Sequence, residues 1–288
     1  MPYTLAILAG DRYREAFLVD GVNKALLTFG GRSCLERLIA AVEQAPSFEA
    51  MVVVGPPALD PVIDHARGSK PVKRVDQGIS LMDNMRRAYD AVELDASEQL
   101  FLTTVDIPLV LPGEFERFVS LVEESPANAI VAFASGSWHT QHGGLAQHYQ
   151  RSMIVARGGP YLMGNLFAGP RAVLQCGEIL EPARNVRKQS KFSNVLRAFR
   201  IFVFLGPRAG PAIVVWLRST AARWLWLRHR DYSRIPWIAP GLRQLARATT
   251  KLVRGKVEVG IVDIGAEGAC FDLDDTEQYE AMQQLLKA

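Results

Sequence analysis

Short, nearly continuous apolar runs alternate along the first half of the chain with segments whose apolar residues recur at a helical period. "YTLAILAG" (3–10), "EAMVVVGPP" (49–57), "QLFLTTVDIP" (99–108) and "NAIVAFAS" (128–135) read as strands, and "PVKRVDQG" (71–78) as a weaker one. Between them, "SCLERLIAAVEQA", "GISLMDNMRRAYDAV" and "GEFERFVSLVEES" read as helices. The first has Ser33 placed to cap and Glu36 three residues on, a capping box. Strands this apolar are buried on both faces, and their alternation with helices makes a mostly parallel sheet covered above and below. The pattern therefore predicts an α/β fold, and no internal repeat interrupts it.

Composition narrows the class. With 49% hydrophobic and 22% charged residues over 288 positions, the chain can bury a full core, which excludes a disordered segment. The opening "MPYTLAILAG" lacks a basic region and a small-residue cleavage site, so no secretory signal is expected and the cytosol is the expected location. Cys34, Cys176 and Cys270 are odd in number and show no Cys-x-x-Cys or Cys/His spacing, so they are expected to be reduced and mostly structural. His139, His142 and His148 crowd one glycine-containing stretch, but their spacing fits no standard zinc pattern. The net charge of +3 conceals an asymmetry: residues 184–257 hold seventeen Lys or Arg and a single acid, Asp231, which leaves the remainder acidic.

One strand ends in a carboxylate. In open α/β sheets ligands bind in the crevice outside the carboxyl ends of the strands, and Asp106 closes "FLTTVD" at such an end. A hydrated carboxylate there is able to hold a divalent cation through oxygen. Capping of the helix that begins near Pro112 is the alternative, for which Asp106 lies several residues too early.

Three stretches, in this order, resemble the MobA-like nucleotidyltransferases. They are "AILAGDRYREAFLVDGVNKALLTFGGRSCLERLIAAV" (6–42), "FLTTVDIPLVLPGEFERFV" (101–119) and "FDLDDTEQYEAM" (271–282). "QGISLMDNMRRAYDA" and "GGPYLMGNLFAG" are similar to weaker motifs of one bacterial branch. Two departures stand out: a single glycine, Gly10, follows the first strand where the family has a glycine pair, and Thr276 stands where the family ending has proline. The resemblance implies a Rossmann-like, GT-A-type three-layer sandwich across residues 1–288, with a basic helical insertion at about 184–257. It implies Mg²⁺-dependent transfer from a nucleoside triphosphate to a phosphorylated small molecule or lipid precursor, with release of pyrophosphate. A GT-A glycosyltransferase using a nucleotide-sugar, and a non-catalytic membrane-associated family member, remain alternatives.

Roles follow from the same resemblance. The backbone of Leu8, Ala9, Gly10 and Arg12 would wrap the triphosphate, with Gly10 permitting close approach and unusual φ and with Arg14 as an alternative charged clamp. Lys24 corresponds to the phosphate-binding lysine, and Asp106 to a metal ligand. Asp272 is the second ligand, with Asp274 as the alternative on the same face of an extended segment. Gly78, Ser80 and Asn84 stand where relatives recognise the base, although Ser80 is also a natural helix N-cap. Asn165 would face acceptor or ribose, and Arg187 and Lys188 the acceptor's phosphate.

Four of the five tryptophans, Trp216, Trp224, Trp226 and Trp237, fall inside the basic stretch. Tryptophan and cations together suit an anionic membrane surface, placing the chain at the inner face of the membrane. Packing of these helices on the acidic core, with arginines paired to carboxylates, is the competing reading, and a nucleic-acid surface is the least favoured. The most apolar run, residues 201–217, is broken by two prolines, two glycines and Arg208, which excludes a spanning helix.

Overall fold

The computed structural model describes residues 2–11, 18–19, 21–95, 97–135, 153–177, 210–229, 235–265 and 268–286. Strand β1 (Tyr3–Leu8) is the axis of the molecule. It pairs in parallel with β6 (Phe48–Gly55) on one side and with β8 (Leu100–Thr104) on the other. Strand β7 (Val72–Asp76) extends the sheet beyond β6, again in parallel. On the other flank β11 (Gly159–Gly169) runs antiparallel between β8 and β9 (Ala129–Ser135), carries β10 (Ile154–Ala156) at its edge, and β12 (Val259–Asp263) pairs in parallel with β9. The eight-stranded sheet thus reads β12-β9-β11-β8-β1-β6-β7, with β10 on β11. Two short ribbons, β2 (Leu18–Val19) with β3 (Val22–Asn23) and β4 (Thr28–Phe29) with β5 (Arg32–Ser33), follow β1.

Alternation along β1 divides the core. Leu5 and Ile7 join Phe48, Phe101, Phe115 and Phe118 on one face, while Ala6 joins Val52, Val54, Leu102 and Tyr89 on the other. The phenylalanines meet edge to face, Phe48 with Phe101 at 5.5 Å and Phe101 with Phe118 at 5.9 Å, a favoured arrangement for aromatic pairs. Helices α1 (Cys34–Glu43) and α4 (Pro112–Glu123) cover the first face and α3 (Leu81–Ala91) the second, with α2 (Asp60–Ala66) packed beside α1. The capping box at Ser33 and Glu36 is present, Ser33 Oγ accepting from the Glu36 N–H at 3.2 Å. This is the three-layer, mostly parallel α/β sandwich that the sequence predicts; β10, the antiparallel β11 and β12 are strands that the apolar pattern alone did not reveal. All three cysteines are buried, and none forms a disulfide among the described residues.

Chain order places the functional crevice. From β1 the chain moves outward through β6 and β7, then returns to β8 on the opposite side of β1. Strand order therefore reverses between β1 and β8, and Ala9–Asp11 and Val105–Ile107 leave the carboxyl ends of these strands at that switch point, where open α/β sheets bind ligands.

The basic stretch contributes α5 (Gly210–His229) and α6 (Leu242–Leu252), which pack on each other and against β10 and β12 respectively. Ala222 and Trp226 of α5 enter the main core with Ile235 and Ala239. Among the described residues the arginines of α5 pair with no carboxylate, unlike the pairing that the packing reading expected. Arg218 instead donates to the carbonyls of Ile238 and Ala239, at 2.9 and 3.4 Å, and Arg223 Nε has no partner among the described residues. No helix of the described residues is long and apolar enough to cross a membrane.

Candidate active site

Lys24 opens a 3-10 turn, Lys24–Leu26, between β3 and β4. Asn23 fixes that turn. Its Oδ1 accepts from the Ala25 N–H at 2.9 Å, while its Nδ2 donates to the Ala9 carbonyl at 3.4 Å and to Asp11 Oδ2 at 3.3 Å. An asparagine ahead of a tight turn commonly bonds the backbone two residues on, and here the same side chain also ties the turn to the loop after β1. The Lys24 side chain is 2% exposed, with Nζ 3.1 Å from Asp106 Oδ2 and 3.1 Å from Asp274 Oδ1. Burial opposes the ammonium charge, but Coulombic attraction to the two carboxylates and their hydrogen bonds outweigh it, so Lys24 titrates above its ordinary value.

The two acids come from opposite ends of the chain. Asp106 follows β8; Asp274 precedes α7 (Thr276–Leu285). A hydrogen bond of 2.9 Å from the Leu273 N–H to the Asp106 carbonyl joins the segments. Phe271 and Leu273 are buried while Asp272 and Asp274 are half-exposed, the alternation of an extended chain. It is Asp274, the alternative in the sequence reading, that meets Lys24. It is the residue directly after the Leu273 amide held by Asp106, and that step brings it beside the ammonium. Asp275 is spent as the N-cap of α7, accepting from the Gln278 N–H at 2.8 Å. Helix α7 is held in turn by Tyr279, whose Oη donates to the Thr28 carbonyl at 3.0 Å and whose ring meets Phe29 at 5.1 Å.

Two further side chains brace the carboxylates. Glu114, buried in the first turn of α4, accepts from the Leu111 N–H at 2.7 Å and from the Ala269 N–H at 3.1 Å, coupling the segment after Asp106 to the segment before Asp274. Arg37 Nε donates to the Pro108 carbonyl at 3.0 Å and so holds the turn after Asp106 against α1.

Asp106 Oδ1 is buried and has no hydrogen-bond partner among the described residues. Leaving a buried carboxylate oxygen unmatched is costly, and it is the position a cation would fill. Magnesium takes one or two protein carboxylates and completes its shell with water and substrate phosphate. Asp106 and Asp274 fit that donor set, and no group of three His, Cys, Asp or Glu gathers among the described residues.

On the other side of Asn23 lies the loop expected to hold nucleotide. The Ala9 N–H donates to the Val54 carbonyl at 2.8 Å and the Asp11 N–H to Gln77 Oε1 at 2.7 Å, and Gln77 Nε2 returns a bond of 2.6 Å to Asp11 Oδ1. The Ala9 amide, one of those expected to wrap a triphosphate, is therefore engaged within the protein, as is that of its neighbour Asp11. Gly10 is required for space and not for an unusual φ: a Cβ there would lie 2.5 Å from Asn84 Nδ2 and 2.9 Å from Gln77 Oε1. Asn84 Oδ1 accepts from the Gly78 N–H at 2.7 Å, so Gly10, Gly78 and Asn84 converge with Gln77 at the mouth of β1. The Ser80 hydroxyl takes its alternative role, capping α3 by accepting from the Asp83 N–H at 3.1 Å. Asn165 sits on β11 one residue before the Leu166–Thr103 pairing, which puts it at the carboxyl end of β8, on the rim that carries Asp106. Arg12, Arg14, His139, His142, His148, Arg187 and Lys188 lie outside the described residues.

A family model described as the MobA-like NTP transferase domain matches residues 5–175. The chain belongs to this family. Among solved structures, a hypothetical transferase from Thermus thermophilus is 20% identical with a TM-score of 0.62, the alignment covering 97% of this chain and 100% of that one. A CMP:2-keto-3-deoxy-manno-octonic acid synthetase complexed with CTP is 13% identical with a TM-score of 0.58, covering 100% and 99%. The 2-C-methyl-D-erythritol 4-phosphate cytidylyltransferase of Thermus thermophilus is 14% identical with a TM-score of 0.51, covering the whole of both chains. At these identities the likeness is one of fold. No curated protein matches the sequence.

Membership of the MobA-like NTP transferases makes the chain a nucleotidyltransferase, and its match takes in Asn23, Lys24, Gln77 and Asp106. Asp274 lies beyond the match and reaches the site only through the fold. Asn23, Gln77 and Glu114 were missed in the sequence. An asparagine, a common turn residue, placed directly before Lys24 was the available signal for Asn23. Nothing local distinguished Gln77 or Glu114 from solvated side chains.

Proposed function

We propose that the chain catalyses Mg²⁺-dependent transfer of a nucleotidyl group from a nucleoside triphosphate to a phosphorylated acceptor, acting as a single cytosolic catalytic domain with a basic helical insertion. One observation carries this reading: Lys24 Nζ stands 3.1 Å from both Asp106 and Asp274, in the crevice where the strand order reverses, beside a buried Asp106 oxygen with no partner among the described residues. An acceptor phosphate oxygen attacks the α-phosphorus, a new P–O bond forms, the bond to the β-phosphate bridge breaks, and pyrophosphate leaves. Negative charge spreads over the non-bridging oxygens, so catalysis consists chiefly of positioning and charge neutralisation.

Asp106 and Asp274 would hold the metal, which supplies a divalent charge between carboxylates and phosphates. Lys24 turns its ammonium from the carboxylates towards the phosphates and neutralises charge that grows during the reaction; only that increment raises the rate. Gln77, Asn84 and the Gly78 backbone, bonded to Asp11 and to one another, would exchange those bonds for a base edge, with Gly10 leaving room. Asn165, and from the sequence Arg187 and Lys188, are assigned to the acceptor. Cytidine triphosphate is the first donor to test, because two proteins of similar fold are named for cytidylyl chemistry.

The test measures pyrophosphate release with each of the four triphosphates against a panel of phosphorylated sugars, alcohols and lipid precursors. Asp106→Asn and Lys24→Met are expected to abolish release while leaving secondary structure intact. Release unchanged in both variants would remove the assignment.

A further inference from the structure

Helix α5 has two apolar faces, and the fold uses one. Ala212, Ala222 and Trp226 are buried, and Ser219 Oγ donates to the Val155 carbonyl at 3.1 Å, which marks the inner side. Val214, Leu217, Trp224 and Leu227 are all exposed. Their spacings of three and seven residues put them on one stripe, opposite Ala222 and Trp226. Trp237, on the turn that follows, is 87% exposed. Apolar surface gathered in this way marks a contact site.

Charge selects the occupant. The described segments 210–229 and 235–257 carry eight Lys or Arg and no acid. Arg228 lies on the outer stripe with its guanidinium 5.3 Å from the Trp224 ring, and Arg243, Arg247 and Lys251 are exposed on the adjoining α6. A second copy meeting this face through its own would bring two acid-free, cation-rich segments together. Three of the four stripe residues, Val214, Leu217 and Leu227, are aliphatic and offer nucleic-acid bases neither the stacking nor the hydrogen bonds that bind them. We propose that the outward face of α5, with Trp237, docks on the surface of an anionic lipid bilayer. The stripe sinks into the headgroup boundary, the tryptophans sit at the interface, and the cations meet lipid phosphates.

The full-length protein is to be sedimented with vesicles of phosphatidylcholine alone and of phosphatidylcholine mixed with phosphatidylglycerol. Binding is expected to the mixed vesicles only and to fall with salt. Leu217→Ser/Trp224→Ser/Trp237→Ser is expected to weaken it by at least about tenfold, with pyrophosphate release and melting temperature unchanged. Trp237→Ser alone, at a turn position with little packing to lose, gives a smaller loss in the same direction and serves if the triple variant misfolds. The proposal is overturned if the parent binds neither vesicle, if the variants bind as the parent does, or if an oligonucleotide outcompetes the vesicles. A parent dimer that the triple variant turns into a monomer overturns it equally.

Discussion

Replacing Lys24 by methionine keeps the length of the side chain and removes the charge. Its ammonium sits 3.1 Å from each carboxylate. At an effective dielectric of 20, a charge pair at that separation is worth about 5 kcal/mol. The Asp106 side is 13% exposed and retains most of this, whereas Asp274 is 33% exposed and its share is screened by water. Desolvation of the ammonium cancels several kcal/mol, so breaking the buried cluster is expected to cost about 3–5 kcal/mol in total. At roughly 2 °C per kcal/mol for a chain of this size, the melting temperature should fall by about 6–10 °C. The cost has a signature that a simple packing loss lacks. Without the ammonium, Asp106 and Asp274 repel, so millimolar Mg²⁺ should recover much of the loss in Lys24→Met and shift the parent far less. The pH dependence has a definite sign as well. Because the folded Lys24 titrates above its ordinary value of 10.5, its contribution is complete below that pH and is lost as pH rises through the higher folded value. Urea midpoints of the parent should converge on those of Lys24→Met in that alkaline window. Thermal scans with and without Mg²⁺, at neutral and alkaline pH, measure all of this. A variant as stable as the parent, or one that Mg²⁺ stabilises no more than the parent, would refute the shared-counterion geometry.

Asp274→Asn should reduce pyrophosphate release by about 10²-fold or more, the scale of losing one charge-positioning group, while Asp272→Asn stays within a few fold; the reverse order would restore the other acid to the site. Gly10→Ala places a methyl against Asn84 and Gln77, so nucleotide titration should show KM rising more than kcat falls, with a stability cost of about 1–3 kcal/mol from overpacking. Glu114→Ala strips the Leu111 and Ala269 amides of their acceptor, and denaturant unfolding should report a loss of about 2–4 kcal/mol. Release should fall with it, since Asp106 and Asp274 are no longer braced together; full activity in a destabilised Glu114→Ala would show the brace to be structural only.

Local pattern was enough for the elements. Apolar runs bounded by Gly and Pro, Ser33 with Glu36, Ser80 before α3 and a carboxylate closing β8 all depend on neighbours a few residues away, so periodicity and capping chemistry reveal them. Resemblance to one family then directed attention to Lys24 and Asp106. The site itself depends on contacts over distances that no local rule spans: Lys24 meets acids 82 and 250 positions further along the chain. Which acid of "DLDD" faces the ammonium was settled by the Leu273 amide bonding to Asp106, and the need for glycine at position 10 by Gln77, just after β7, and Asn84, on α3. The antiparallel β11 and the division of α5 into an inner and an outer face have the same origin, because an apolar residue records a preference for burial without naming the surface that will bury it. Sheet order makes that choice, and it exists only once the chain has closed on itself.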